Sequence, residues 1–184
     1  MRDDTELPDF ELLAKARADP ALLGLIYERH SRAVYRFLAR RTGTAAAEDL
    51  LGEVFVVAVA TRLRVQPHES GSALPWLYGI ATNITRSYLR RSGARSLAVD
   101  VADVDWDAID ARLDAGARRV ELREALSALN EGERDVLLLV AWEGLSPTEA
   151  AQALGLTPET ARKRLQRARA RAQASLDQMT PTRR

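Results

Sequence analysis

The sequence predicts an all-α protein of two small helical domains, an N-terminal helical bundle and a C-terminal helix-turn-helix, joined by an acidic flexible linker. Three observations carry that expectation. Apolar residues recur at helical spacing through most of the chain, capping signatures punctuate it, and charge is segregated along it. With 184 residues, 46% of them apolar and 29% charged, the chain has material for one ordinary domain or two small ones. No run approaches the roughly 18 apolar residues of a membrane span. The opening MRDDTELPDF is acidic where a signal peptide would be basic, so a cytoplasmic location without membrane insertion is expected. There is no cysteine, which excludes disulfides, thiolate metal sites and cysteine nucleophiles. His30 and His68 are too far apart for a local zinc motif, so no metal, cofactor or enzymatic activity is expected.

The net charge of +1 conceals three blocks. Arg62 to Arg95 holds six Arg against Glu69, Ser96 to Gly116 six Asp against Arg112, and Pro158 to Arg184 eight basic residues against two acidic ones. Two basic blocks around an acidic one suit two polyanion-facing modules and a tether.

Taken in order, the first strong helix covers Pro20 to Arg41, where Leu23, Tyr27, His30, Val34 and Phe37 share one face. Thr44 precedes a second helix start, with Glu48 and Asp49 expected in its first turn, where they suit the helix dipole. This helix runs through Val54 to Val59; length and the lack of a partner strand favour helix over strand. Thr61 to Ala73, with Pro67 and Gly71, reads as a polar loop. From Ala73 to Arg91, Leu74, Leu77, Ala81, Ile84 and Tyr88 form the core face. At about 100° per residue, Trp76, Ile80, Asn83, Ser87 and Arg90 collect on a second face. The acidic stretch after Gly93 has little periodicity. Order returns near Arg118, giving expected bounds of 1–94, a tether at 95–117, 118–178, and a tail at 179–184.

In the C-terminal part, Asn130 with Glu133 and Ser146 with Glu149 match capping boxes, the second with Pro147 at the first helical position. Thr157-Pro158-Glu159 opens the last helix in the same style, and Gly144 and Gly155 fall where helices must stop. The run from Leu145 to Leu165 is thus a helix-turn-helix, in which Ala150 and Ala151 allow a close crossing. Ala161, Leu165, Ala168, Ala172 and Leu176 form the buried stripe of the second helix. Opposite lie Lys163, Gln166 and Arg167, with Arg162 at the edge, long donors suited to the major groove. A helical hairpin with a solvated basic face is the plainer reading, but caps, turn glycine and basic face coincide.

Glu48, Asp49 and Glu53 do not share one helix face well enough for a metal site and read as a solvated or partner-facing patch. Asp103, Asp105 and Asp107, with Asp114, have calcium-loop spacing, but Ala108 stands where the turn needs Gly, so a charged tether is preferred. Trp76, Asn83 and Arg90 combine a stacking plate, an edge reader and a phosphate clamp, the groups that single-stranded DNA recognition needs. The loop with Arg64 and His68 is the expected holder of a flipped base.

As an ordered set these blocks resemble the extracytoplasmic-function sigma factors, the two-domain members of the bacterial sigma-70 family. Leu25 to Leu38 (LIYERHSRAVYRFL) is similar to the opening helix of region 2. Ala47 to Phe55 (AEDLLGEVF) resembles the segment that docks on the clamp helices of the largest polymerase subunit. Pro75 to Arg91 (PWLYGIATNITRSYLRR) resembles the helix that melts and reads the minus-10 element, and Val120 to Leu176 resembles region 4. The chain departs from the family pattern at Gly52, usually Gln, at Val56 to Ala60, and at Thr160 to Arg164, which is more basic than usual.

The resemblance implies a non-catalytic sigma factor that directs core RNA polymerase to promoter DNA. It implies polymerase contact through Glu48, Asp49 and Glu53, and minus-10 contact through Arg64, His68, Trp76, Asn83, Arg86, Ser87 and Arg90. Minus-35 contact falls to Arg162, Lys163, Gln166 and Arg167, and an anti-sigma factor is an expected partner. The alternative is a stand-alone helix-turn-helix regulator with an N-terminal helical partner-binding domain, which leaves Trp76, Asn83 and Arg90 without a role.

Overall fold

The computed structural model describes residues 4–65, 71–92 and 115–179, and among these every regular element is a helix. After a 3-10 turn at Asp4–Glu6 comes a helix that periodicity did not announce, α1 (Asp9–Lys15). Seven residues are too few to stand alone, and burial of Leu12, Leu13 and Ala16 holds it in place. Asp9 pins it further: its carboxylate accepts the Ala73 N–H at 2.9 Å, accepts from Arg29 at 2.8 Å and meets His30 at 2.5 Å. Burial pushes the Asp9 carboxyl upward, but the Ala73 N–H, Arg29 and His30 outweigh it and hold it below the usual range.

After a 3-10 turn at Pro20–Leu22, capped by the Asp19 side chain, α2 spans Leu23–Thr42. Its inward arc carries Leu23, Ile26, Val34, Phe37 and Leu38. Of the residues that share the expected face, Tyr27 is 46% exposed and meets the Phe55 ring edge-on at 4.7 Å. Because α2 packs against both α3 and α4, its buried arc takes in Ile26 and Leu38, leaving Tyr27 at the rim.

Gly43, at φ 83°, turns the chain directly into α3 (Thr44–Thr61). The segment Val54 to Val59 is helical, as expected. The helix already starts at Thr44, with the Ala47 N–H bonded to Gly43 O, so Glu48 and Asp49 fall beyond the first turn rather than within it. Ala47, Leu50, Val54 and Ala58 are buried. Within the expected loop from Thr61 to Ala73, Thr61 still belongs to α3, Arg62–Arg64 form a 3-10 turn, and Val65 and Ala73 are buried. The core contacts of these two apolar residues outweigh the polar character of the stretch.

Helix α4 (Leu74–Ser92) buries Leu77 and Ala81, half-buries Leu74, Ile84 and Tyr88, and stacks Tyr78 on Phe37 at 5.1 Å between centroids. The C-terminal half comprises α5 (Ala115–Ser127), α6 (Glu131–Ala141), α7 (Pro147–Ala153) and α8 (Pro158–Met179). Both expected capping boxes form. Helix α5 begins three residues before the expected return of order; the remaining tether, the calcium-like spacing up to Asp114 and the last five residues lie outside the described residues.

The two halves pack together. Leu139, Leu145 and Ala150 join the N-terminal core, while Leu126, Leu129, Leu138 and Ala168 form a second cluster. Gly79 makes the closest approach possible: a Cβ there would lie 2.3 Å from the Ala153 carbonyl oxygen, so α4 and α7 meet backbone to backbone.

Candidate nucleic-acid interface

The helix-turn-helix is assembled by local chemistry. The Ser146 hydroxyl accepts the Glu149 N–H at 3.2 Å, and the Glu149 carboxylate accepts the Ser146 N–H at 2.7 Å. At the other end of α7, the Leu156 N–H reaches Ala151 O and the Gly155 N–H reaches Gln152 O, with Gly155 at φ 63°. This is a Schellman turn, and it aims α8. Ala150 and Ala151 are fully enclosed. Helix α8 follows, with the Thr160 N–H donated to the Thr157 hydroxyl at 3.2 Å.

On α8, Ala161, Leu165 and Ala168 are buried, and Ala172 and Leu176 half-buried, as the spacing predicts. Arg162, Lys163, Gln166 and Arg167 are all exposed together. Lys163 pairs with Glu159 one turn back at 2.6 Å, a solvated pair that a phosphate can displace at little cost. Not every base of this block is available to a ligand: Arg171 pairs at 2.7 Å with the buried Glu133.

The second surface is an open groove of about 640 Å³ between α3, α4 and α7. It brings together Arg64, Trp76, Asn83 and Ser87 from the expected strand-reading set. Arg91 lines it as well, whereas the exposed Arg90 does not. His68 lies outside the described residues. Gln152 and Ala153 of α7 form part of its wall. Thus an indole, two amides and two guanidinium groups line one trough.

Arg86 is placed elsewhere. Its guanidinium donates to the Asp135 carboxylate at 2.5 and 2.8 Å and pairs with Glu131 at 2.6 Å. Arg41 shares Asp135 from the other side at 3.3 Å and lies over the Phe37 ring at 3.9 Å. Burial pulls the Arg41 guanidinium downward, partly offset by Asp135 and Glu143. Arg40 pairs with Glu143, and burial together with that same carboxylate pushes the Tyr78 hydroxyl far above its usual range. Tyr78 therefore stays protonated and faces Glu143 as a neutral donor. Nothing in the sequence marked Arg40, Arg41, Gly79, Asp135 or Glu143 as a set; the only hint was a glycine inside a strong helix.

Glu48, Asp49 and Glu53 are exposed on α3, with Glu53 also at the groove. Further along this helix, Val56 is 69% exposed. That is a large apolar side chain open to solvent, continuous with the acidic patch. Among the described residues no cluster of metal-ligating side chains occurs, and no helix is long and apolar enough to cross a membrane.

Comparison with known proteins matches two separate segments of the chain. Residues 26–95 match the model for sigma-70 region 2, and residues 119–171 that for sigma-70 region 4. The RNA polymerase sigma factor CarQ of Myxococcus xanthus is 33% identical over 144 residues, 77% of this chain and 82% of CarQ. The ECF RNA polymerase sigma factor BldN of Streptomyces coelicolor is 30% identical over 152 residues, 79% of this chain and 57% of BldN. Across the curated relatives, the matched region spans from 38% to 96% of their length. Among solved structures, CnrH in complex with the cytosolic domain of CnrY aligns with a TM-score of 0.66 and 25% identity, covering 95% of this chain and 100% of CnrH. With both regions matched in order, the chain belongs to the extracytoplasmic-function group of the sigma-70 family of RNA polymerase sigma factors.

Proposed function

We propose that the chain directs core RNA polymerase to particular promoters, reading minus-35 as duplex through α8 and minus-10 as an opened strand through the α3–α4 groove. The observation that carries this is the presence of two DNA-suited surfaces of different shape on one chain. Arg162, Lys163, Gln166 and Arg167 project from a convex helix that fits a major groove. Arg64, Trp76, Asn83 and Ser87 line a trough that fits unpaired bases. The action is differential binding of the melted promoter, with no covalent step, in the cell interior where polymerase and promoter are found.

The acidic patch of Glu48, Asp49 and Glu53, with the exposed Val56 beside it, is the surface for the polymerase clamp helices. An anti-sigma factor is a further expected partner; the holding of CnrH by another protein's cytosolic domain supports that expectation. Titration of core polymerase with labelled chain tests the reading. Wild type should form a holoenzyme that transcribes from a selected promoter, and the double reversal Asp49→Arg with Glu53→Arg should weaken assembly at least tenfold while helix content persists. A chain that ignores core polymerase and binds promoter duplex alone is instead the stand-alone regulator.

A further inference from the structure

Arg64 and Val65 enter the strand-reading trough from the 3-10 turn after α3, and Trp76 enters it from the first turn of α4. Helix α1 supplies none of the lining, yet its two ends touch the chain beside these residues. At the C-terminal end the contact is reciprocal. Arg17 donates to the Leu63 carbonyl at 3.1 Å, and Arg62 donates through Nε to the Ala16 carbonyl at 3.1 Å. The Arg62 guanidinium also reaches the Val59 carbonyl at 2.8 Å, so one cation closes the C-terminal ends of α1 and α3 together.

At the N-terminal end, Asp9 accepts the N–H of Ala73, the residue just before α4, whose own carbonyl accepts the Leu77 N–H. The next residue, Phe10, lies against Gly71: a Cβ on that glycine would be 3.5 Å from the ring. Gly71 holds φ 72°, so the chain turns towards α4 against this ring. As core filler α1 needs only Leu12, Leu13 and Ala16. The contacts at its ends go further, because the 3-10 turn buries no side chain of its own that could fix Arg64.

We infer that α1 is a clasp that sets the spacing of Arg64 and Trp76 across the trough, with Arg17 and Asp9 as positioning residues for strand reading. The inference rests on the strand-reading assignment of the α3–α4 groove made above. A guanidinium and an indole that grip one strand bind it better when their spacing is set beforehand, since the ordering cost is then not met on binding. Arg17 fixes the turn that carries Arg64, and Asp9 fixes the start of the helix that carries Trp76.

The test uses holoenzyme reconstituted from the full chain. Its ligands are a strand of about 12 nucleotides covering minus-10 of a promoter selected by wild type, and a scrambled strand of the same composition. Arg17→Ala releases the turn from an exposed position, and Asp9→Ala releases the start of α4. Each should lower the preference for the selected strand about tenfold, the size of one weakened base contact, and leave scrambled-strand affinity within about twofold of wild type. Because Arg17 acts through Arg64, Arg17→Ala combined with Arg64→Ala should discriminate within about twofold of Arg64→Ala alone.

Unchanged preference in a folded variant overturns the clasp. Additive losses in the double variant overturn it too, since Arg17 then acts on the strand by another route, as does an equal loss on both strands. Trp76→Ala in the same assay assigns such a failure. A lowered preference leaves the strand-reading trough standing, whereas an unchanged one removes that assignment as well. Circular dichroism identifies a variant that does not fold; Phe10→Ala, which uncovers Gly71 from a position 40% exposed, then replaces Asp9→Ala.

Discussion

Truncating Arg167 and Trp76 separately should divide duplex reading from strand capture. Arg167 is exposed, and its Nε donates to the Lys163 carbonyl of its own helix at 3.3 Å, so Arg167→Ala should leave folding stability almost unchanged. If the guanidinium meets a phosphate, its loss lowers the slope of log affinity against log salt by about 0.9. If it meets a base edge, the loss is about 1–3 kcal/mol at one promoter position. Trp76 differs because it lines the groove and also packs against the N-terminal core. Removing a fully buried Trp costs about 3–5 kcal/mol, so a half-buried one should cost about 2 kcal/mol in stability. Losing a stacked base costs about 1–3 kcal/mol, a similar size. Trp76→Phe, which keeps a ring, therefore accompanies Trp76→Ala and should retain most strand binding.

The assay follows polymerase on a promoter selected by the wild-type holoenzyme, once fully paired and once with a preformed bubble across minus-10. Arg167→Ala should weaken closed complexes, and the bubble should not restore them fully. Trp76→Ala should form closed complexes, open them slowly, and regain much of its rate on the bubble template, where the unpairing cost is already met. Identical responses of the two variants to the bubble would refute the division of labour.

Two further outcomes concern the frame that holds these surfaces. Ser146→Ala removes one half of the α7 capping box and should cost about 1 kcal/mol, a fall of about 2–4 °C in the melting midpoint of a chain this size, measured by calorimetry. Asp9 has a folded pKa held below its unfolded value, so its contribution is complete above the unfolded pKa of about 3.9 and disappears as pH falls through the folded value. Asp9→Asn should therefore be less stable than wild type at pH 7 in urea titrations, with a smaller loss on acidification; an unaltered acid limb would remove Asp9 from this role.

What was legible in the sequence was local. The stripe of Ala161, Leu165 and Ala168, both capping boxes and the stop at Gly155 follow from spacing and backbone chemistry within a few residues of each other, and all appear in the structure. Helix α1 escaped because seven residues hold too few turns to show a period, and its stability comes from Asp9 reaching Arg29, His30 and the Ala73 N–H far along the chain. Tyr27 shows a related limit: spacing marks an apolar face, whereas the number of neighbouring helices decides how wide the buried arc is.

The interface between the halves was least visible because the face of α4 that enters it carries Gly79 and Arg86 rather than an apolar stripe. A guanidinium fork fits a carboxylate and a phosphate alike. The residue type that made Arg86 a candidate for DNA thus also made it a candidate for Asp135, and sequence alone cannot rank the two. The structure places the carboxylate there. Its distance from residue 86 in the chain, 49 positions, is why spacing could not reveal that partner.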